Sequence, residues 1–174
     1  MRKTLYLWQL VGLTFTAVAG TLLHFLYPWT QSRFVASFSA VNESVWEHMK
    51  LLFFPAFLFA FVEYLFIGRY YKNFWQTKLC GILLGVSLIP ALFYTYNGVV
   101  GRSPDWLNIA IFFVSAALAY LYETRLYKKG TATCKHPKAA VALLGGIALL
   151  FVVFTFLTPM LGIFRDPLTG TYGV

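Results

Sequence analysis

Five long apolar stretches dominate the chain, and short segments between them carry most of the polar residues. The stretches cover residues 4–27, 49–68, 79–100, 106–121 (extendable to 127) and 139–164. A helix needs about 20 mostly apolar residues to cross the roughly 30 Å hydrocarbon layer of a bilayer. The pattern therefore predicts an all-α integral membrane protein, built as a bundle of five transmembrane helices.

The composition agrees with this class. Of the 174 residues, 59% are hydrophobic and only 11% are charged, whereas a soluble domain carries roughly 25% charged residues. The length predicts a single domain over 1–174. The net charge of +8 comes from short basic clusters between the apolar stretches, not from one basic face. We therefore expect the lipid bilayer, and no nucleic acid, as a partner.

The distribution of Lys and Arg predicts the orientation in the cell membrane. Ten of them lie at one set of helix ends and four at the opposite set, and the richer set is expected in the cytoplasm. The N-terminus is then cytoplasmic and the C-terminus extracytoplasmic. At the inner ends, Glu63 and Glu123 are predicted to pair with Arg69 and Arg125, and the alternative is a proton or ion relay.

Most of the candidate chemistry lies between the first two stretches, where two of the six acids and one of the three histidines fall within 43–48. Upstream, His24 ends the first stretch, about 31 Å along a helix from Lys3. His24, Glu43, Glu47 and His48 are thus predicted at one depth. We expect a short helix or a re-entrant segment at about 39–50.

A purely structural interpretation accounts for several of these residues. Ser44 and Glu47 have the spacing of a capping box, in which the serine caps a helix and the glutamate returns to the serine amide. Glu47 and Lys50 have the i,i+3 spacing of an ion pair on a helix. On this interpretation the segment only starts a helix.

Two functional interpretations compete with it. His24, Glu43, Glu47 and His48 are candidate ligands for zinc, which makes a nucleophile of bound water at neutral pH. Alternatively, Ser44 is a nucleophile, His48 four residues later is its base, and Glu43 or Glu47 orients the histidine. The candidate catalytic residues are therefore Ser44, Glu47 and His48. Adjacent residues on a regular helix point in different directions, so Glu47 and His48 do not share a face.

Further polar residues are predicted to support such a site. Asn42 precedes the segment, and the end of the third stretch and the start of the fourth bring four more to the same side of the membrane. Groups that hydrogen-bond to ligands fix the orientation of those ligands. The candidates for this role are Asn42, Tyr94, Asn97, Arg102 and Asp105.

The run VNESVWEHMKLLFFP from Val41, with GTLLHFLYPW from Gly20, resembles an uncharacterised family of small multi-span membrane proteins from Gram-positive bacteria. That resemblance implies no activity. Ser44 and His48 are also similar in spacing to the Ser-x-x-x-His of ceramidase-like membrane hydrolases. The HxxxH that completes the zinc site of those enzymes is absent, since the third histidine, His136, lies in a basic loop.

The sequence thus predicts an outward-facing His/Glu pocket of a metal-dependent hydrolase or acyltransferase, with zinc as the cofactor and a lipid or lipid-linked substrate. Two other classes stay open. One is a transporter or binding protein for a small solute or ion, in which Glu63 and Glu123 extend a polar path. The other is a non-catalytic structural membrane protein. The oligomeric state is left open.

Overall fold

A computed structural model describes residues 2–101, 104–130 and 137–174. Within these ranges it contains six α-helices and, apart from one isolated β-bridge, no extended pairing. Five of the described helices are long and apolar enough to cross a membrane, all except α2, which confirms the predicted helical bundle. The helices are α1 (Arg2–Thr30), α2 (Arg33–Ala36), α3 (Val45–Phe66), α4 (Phe74–Val100), α5 (Asp105–Lys129) and α6 (Pro137–Phe156).

The helix bounds correct two predictions. The segment at about 39–50 is not a separate short helix, because α3 begins at Val45 and continues without a break to Phe66; the separate short helix is α2. The last span ends at Phe156 and not at 164. Pro159 follows this end, and a proline has no amide to continue a helix and disfavours the helical conformation of the residue before it.

Residues 157–174, here called the tail, lie beyond α6. The tail contains a single 3₁₀ turn, Gly162–Phe164, and an antiparallel bridge between Arg165 and Tyr172. Phe164 is buried and packs against Trp46 near the start of α3. The tail therefore folds back over the end of the bundle where α1 ends and α3 begins.

Helix α3 occupies the centre of the bundle. It packs against α1, α4 and α6, α4 packs in turn against α5 and α6, and α1 also meets α5. Large apolar side chains fill these seams, with Leu52, Phe53, Ile82, Leu144 and Phe151 almost fully buried. Small residues allow membrane helices to approach closely. Because α1 and α3 pack against each other, the start of α3 lies beside the end of α1.

A group of three charged side chains lies inside this bundle. The Lys78 ammonium contacts Glu63 at 2.9 Å and Glu123 at 2.7 Å, and all three side chains are buried. The prediction that these glutamates pair with nearby arginines was wrong. Arg69 lies over the ring of Tyr70, and Arg125 is exposed. Lys78, in the first turns of α4, instead faces both α3 and α5.

Candidate functional site

Three of the predicted ligands meet at the end of the bundle that the tail covers. One Glu43 oxygen lies 3.8 Å from His24 Nε2, and the other lies 3.4 Å from His48 Nε2. One ligand atom from each residue fits within 4.8 Å of the others. The three side chains, here called the His–Glu cluster, are partly exposed, between 23% and 40%. Solvent can therefore reach them.

The position of His24 depends on an irregularity in α1. Pro28, four residues later, has no amide and its ring conflicts with the His24 carbonyl in a regular helix. The Ser39 hydroxyl accepts a hydrogen bond from Tyr27 N–H and donates to the Leu23 carbonyl, the two groups that bond each other in a regular helix. A side chain inserted in this way opens the helix locally, in the turn that carries His24.

A close contact between α1 and α3 brings the two histidines together. A Cβ added at Gly20 would overlap the backbone carbonyl of Leu51. His24 lies one turn after Gly20, and His48 lies one turn before Leu51, on antiparallel neighbours. The ring centroids of the two histidines are consequently 5.4 Å apart.

The hydrogen bonds of His48 leave one ring nitrogen free for a ligand. Its Nδ1 lies 2.9 Å from the Ser44 carbonyl oxygen, which can only accept, so Nδ1 carries the proton. Nε2 then presents a lone pair towards Glu43. A backbone carbonyl that fixes the tautomer in this way is the usual outer partner of a metal-binding histidine.

The tail holds Glu43 in place from the other side. The carboxylate of Asp166 accepts hydrogen bonds from the amides of Glu43, Leu168 and Thr169. Burial alone would raise the pKa of Asp166, but these backbone hydrogen bonds outweigh it and lower the pKa. Asn42 adds a second link, because its amide donates to the Gly173 carbonyl.

Glu47 does not join the cluster. Its carboxylate pairs with the buried Lys50 ammonium at 2.6 Å and accepts a hydrogen bond from Val41 N–H. Lys50 also donates to the Ala36 carbonyl and to Thr155. This buried network joins α2, α3 and α6, and it confirms the predicted pairing of Glu47 with Lys50.

Ser44 is the N-cap of α3, as the structural interpretation predicts. Its hydroxyl accepts a hydrogen bond from Glu47 N–H at 3.4 Å. In a complete capping box the glutamate would also accept a hydrogen bond from the Ser44 amide. Here the Glu47 carboxylate accepts from Val41 N–H instead, and the Ser44 amide donates to the side-chain oxygen of Asn42. His48 contacts the Ser44 carbonyl and not its hydroxyl, so the geometry needed for a histidine base is not present.

The spacing of the His–Glu cluster suits a zinc ion. Two ligands at 2.0–2.1 Å from a tetrahedral zinc are about 3.3 Å apart. The contact between His48 and Glu43 is 3.4 Å and that between His24 and Glu43 is 3.8 Å, so the three ligands would have to move closer together by up to about 1.5 Å to hold the ion. Among the described residues, the buried Nδ1 of His24 has no hydrogen-bond partner, so neither of its nitrogens is committed elsewhere. Three ligands leave the fourth position open.

A cavity of about 420 Å³ adjoins the cluster. It lies where α1, α3, α5 and the tail meet, and apolar residues form most of its wall, including Phe25, Ile109, Phe112 and Leu168. Asn108 and Thr21 are its polar residues besides the cluster. Phe25 and Ile109 are also half exposed on the outside of the bundle, so the cavity adjoins the surface that would face lipid.

The predicted supporting residues fall in different places. Asn42 lies beside the cluster, whereas Tyr94 is exposed and Asn97 donates to the Phe93 carbonyl of its own helix. Arg102 lies outside the described residues, as does the Asp105 side chain. Sequence reasoning missed Asn108 and Asp166. Asn108 is an isolated amide near the start of an apolar helix, and Asp166 starts an Asp-Pro-x-x-Gly turn, a composition typical of tight turns.

Comparison with known proteins gives a family and no activity. No curated protein and no solved structure matches the chain. One family model covers all of it, which confirms the predicted membership in an uncharacterised family: the chain belongs to the family of unknown function DUF6512, whose model matches residues 1–174.

Proposed function

We propose that the His–Glu cluster binds one zinc ion and that the protein is a metal-dependent hydrolase or acyltransferase. The observation that carries this proposal is the meeting of His24, Glu43 and His48 within 4.8 Å, from two helices and the turn between α2 and α3. Three protein ligands with an open fourth position are typical of catalytic zinc. Closed, structural sites use four ligands instead.

The open position supplies the chemistry. Zinc held by His24, Glu43 and His48 would supply an activated water at this position for attack on an acyl carbon. The Glu43 carboxylate has two oxygens, one towards each histidine. One oxygen is enough to hold the ion, and the other can accept the proton of the attacking water.

The adjoining cavity favours a lipid or lipid-linked substrate. Its volume of about 420 Å³ and its mostly apolar wall suit part of an acyl chain. The wall residues Phe25, Ile109 and Phe113 are also exposed on the outside of the bundle. An acyl chain could enter there from the bilayer and bring its carbonyl to the cluster.

The apolar middle of α3 favours an enzyme over a transporter. Between the cluster and Glu63, all residues of α3 from Leu51 to Val62 are apolar, and most of them are buried. A transporter needs polar groups near the membrane midplane to hold its solute.

In this proposal the protein lies in the cell membrane of a Gram-positive bacterium, with its N-terminus in the cytoplasm. The cluster then faces the outer leaflet, since it lies at the end of α1. The orientation follows from the ten against four distribution of Lys and Arg.

Metal analysis of the purified protein tests the first step. We expect about one zinc per chain in the wild type and its loss in His24→Ala, His48→Ala and Glu43→Gln. The matched controls are His136→Ala, which removes the third histidine, and Glu47→Gln, which removes the neighbouring carboxylate. Zinc retained in the first three variants, or absent from the wild type, contradicts the proposal.

Turnover tests the second step. Vesicles that contain phospholipid and ceramide are incubated with wild-type protein, and released fatty acid is measured by mass spectrometry. Release should require zinc and disappear in Glu43→Gln. Stoichiometric zinc without release of fatty acid would leave a metal site and reject the hydrolase.

A further inference from the structure

The opposite end of the bundle contains a further buried polar centre. Glu63 of α3, Lys78 of α4 and Glu123 of α5, here called the buried triad, come from three helices. None of the three side chains is more than 1% exposed. Ionisable groups inside a membrane bundle are costly unless they are paired or functional.

The charges of the buried triad do not balance. Two carboxylates and one ammonium leave one net negative charge in an apolar interior. The uncharged polar groups around it are Gln9 on α1 and Tyr120 and Tyr127 on α5. Tyr120 lies under the Lys78 ammonium and shares a hydrogen bond with Thr16.

The cations nearest this end are engaged or exposed elsewhere. Lys128 donates to the Tyr6 hydroxyl, Arg69 lies over Tyr70, and Lys72 is exposed. Among the residues that the structure describes, no second cation pairs with Glu63 or Glu123. An unpaired buried charge costs several kcal/mol, so it is expected to recruit a counter-charge.

Gln9 gives an independent sign of what that counter-charge is. Its side chain is buried and its Nε2 lies 2.6 Å from a Glu63 oxygen. This is short for N–H···O, which is usually about 2.9–3.0 Å, and normal for O–H···O. In the described part of the chain the other Gln9 atom, Oε1, has no partner. The two ends of an amide can be exchanged by a flip, and the oxygen can then accept a proton from Glu63.

We propose that the buried triad is a binding site for a single proton, which Glu63 and Glu123 share. In the bound form one carboxylate oxygen has taken a proton from water at that end of the bundle. The other carboxylate remains paired with Lys78. The interior is then neutral, and Gln9 is the acceptor that the carboxylic acid requires.

The packing favours a proton over a metal cation. The Lys78 ammonium already fills the space between the two carboxylates, at 2.9 and 2.7 Å. Glu123 also packs tightly against α4, since a Cβ added at Gly81 would overlap its side chain. A proton needs no additional volume, whereas even a small metal ion needs several oxygen ligands around it.

Infrared spectroscopy of the protein in lipid nanodiscs tests this proposal. At neutral pH we expect the carbonyl band of about one protonated carboxylic acid per chain, with a shift in D₂O. The band should be lost in Glu63→Gln and in Glu123→Gln, because either change leaves one carboxylate paired with Lys78. Glu43→Gln, in the His–Glu cluster, is the matched control and should keep the band.

A second measurement needs no variant. The wild type is labelled with ¹³C in the carboxyl groups of its four glutamates, and NMR then counts the protonated ones at neutral pH, in sodium and in choline buffer. We expect one protonated glutamate in both. No protonated glutamate, or one that sodium removes, would overturn the proposal, as would an infrared band that persists in both triad variants.

Discussion

At the scale of single residues, Glu47 and His48 are neighbours in sequence with different surroundings. About 100° of rotation separates adjacent residues of a helix. His48 therefore faces His24 across the seam with α1, while Glu47 faces Lys50 and Thr155. One residue of the pair belongs to the proposed metal site, and the other holds the start of α3 in place.

The variant Glu47→Gln separates these two roles. It leaves the Lys50 ammonium buried without a counter-ion, and loss of one partner from a buried ion pair costs about 3–5 kcal/mol. We expect lower thermal stability with unchanged zinc content, measured by a melting curve and metal analysis.

The double variant Glu47→Gln/Lys50→Met is the control for that prediction. It removes the unpaired charge while a flexible apolar side chain fills the space, so most of the lost stability should return. If Glu47→Gln loses zinc at full stability, Glu47 is a ligand after all.

The sequence was enough to name the candidate metal ligands, but not to decide which of the two glutamates lies beside the histidines. Two histidines and two glutamates at one depth could be read from the spacing of residues 24, 43, 47 and 48. The start of α3 decides which glutamate faces the histidines, and that depends on the Ser44 cap. Asp166 could not be assigned, because 123 residues separate it from the amide of Glu43 that it binds.

At the scale of elements, the approach of α1 to α3 determines the distance between the histidines. Gly20 allows this approach because its Cα lies against the Leu51 carbonyl and the Phe112 ring. A backbone carbonyl cannot move aside as a side chain can. The seam therefore depends on the absence of a Cβ at this one position.

We predict that Gly20→Ala lowers zinc content. The added methyl group forces α1 away from α3 and separates His24 from His48. The control is Gly145→Ala on α6, where nothing lies within 4 Å of the added Cβ. Metal analysis of both variants provides the comparison, and equal zinc content would show that the seam tolerates the methyl group.

The attachment of the tail should depend on pH through Asp166. Its pKa is lower in the folded protein than in the unfolded chain. The ionised Asp166 therefore stabilises the folded tail fully above the ordinary aspartate pKa of about 3.9. This stabilisation is lost as the pH falls through the lower pKa that Asp166 has in the folded protein. Hydrogen bonds to a charged group contribute about 1.5–3 kcal/mol each.

Amide hydrogen exchange at Leu168 and Thr169 measures this attachment. We expect protection factors that are constant from about pH 5 to 7 and that fall in stronger acid, as the pH passes through the lowered pKa of Asp166. Asp166→Asn should be less protected at all pH values, with no such fall. A wild-type profile that matches Asp166→Asn would contradict the prediction.

At the scale of the whole molecule, the hydrophobic pattern predicted all five long helices, since burial in lipid requires an apolar run whatever the neighbours are. It missed what depends on tertiary contacts. The first part of the tail, residues 157–164, was predicted to belong to the fifth span because it is mostly apolar. The buried triad was read as separate surface pairs, because local spacing cannot show that Lys78 lies between α3 and α5.

Reporter fusions test the predicted topology. An enzyme that is active only outside the cell should be inactive when fused after Lys129 and active when fused after Val174, with a cytoplasmic fluorescent reporter giving the reverse. The same location for both positions would rule out an odd number of spans between Lys129 and Val174, and with it the predicted fifth span.

The tail also has a consequence for the order of synthesis. The three cluster residues are His24, Glu43 and His48, whereas the residues that cover them, such as Asp166 and Leu168, are made more than 100 residues later. Membrane helices enter the bilayer as the ribosome produces them, and early segments can assemble before later ones exist. The proposed ligands are thus expected to meet while their outer side is still open. If the cluster binds zinc as proposed, the metal would have access at that stage, before Asp166 closes the tail over Glu43.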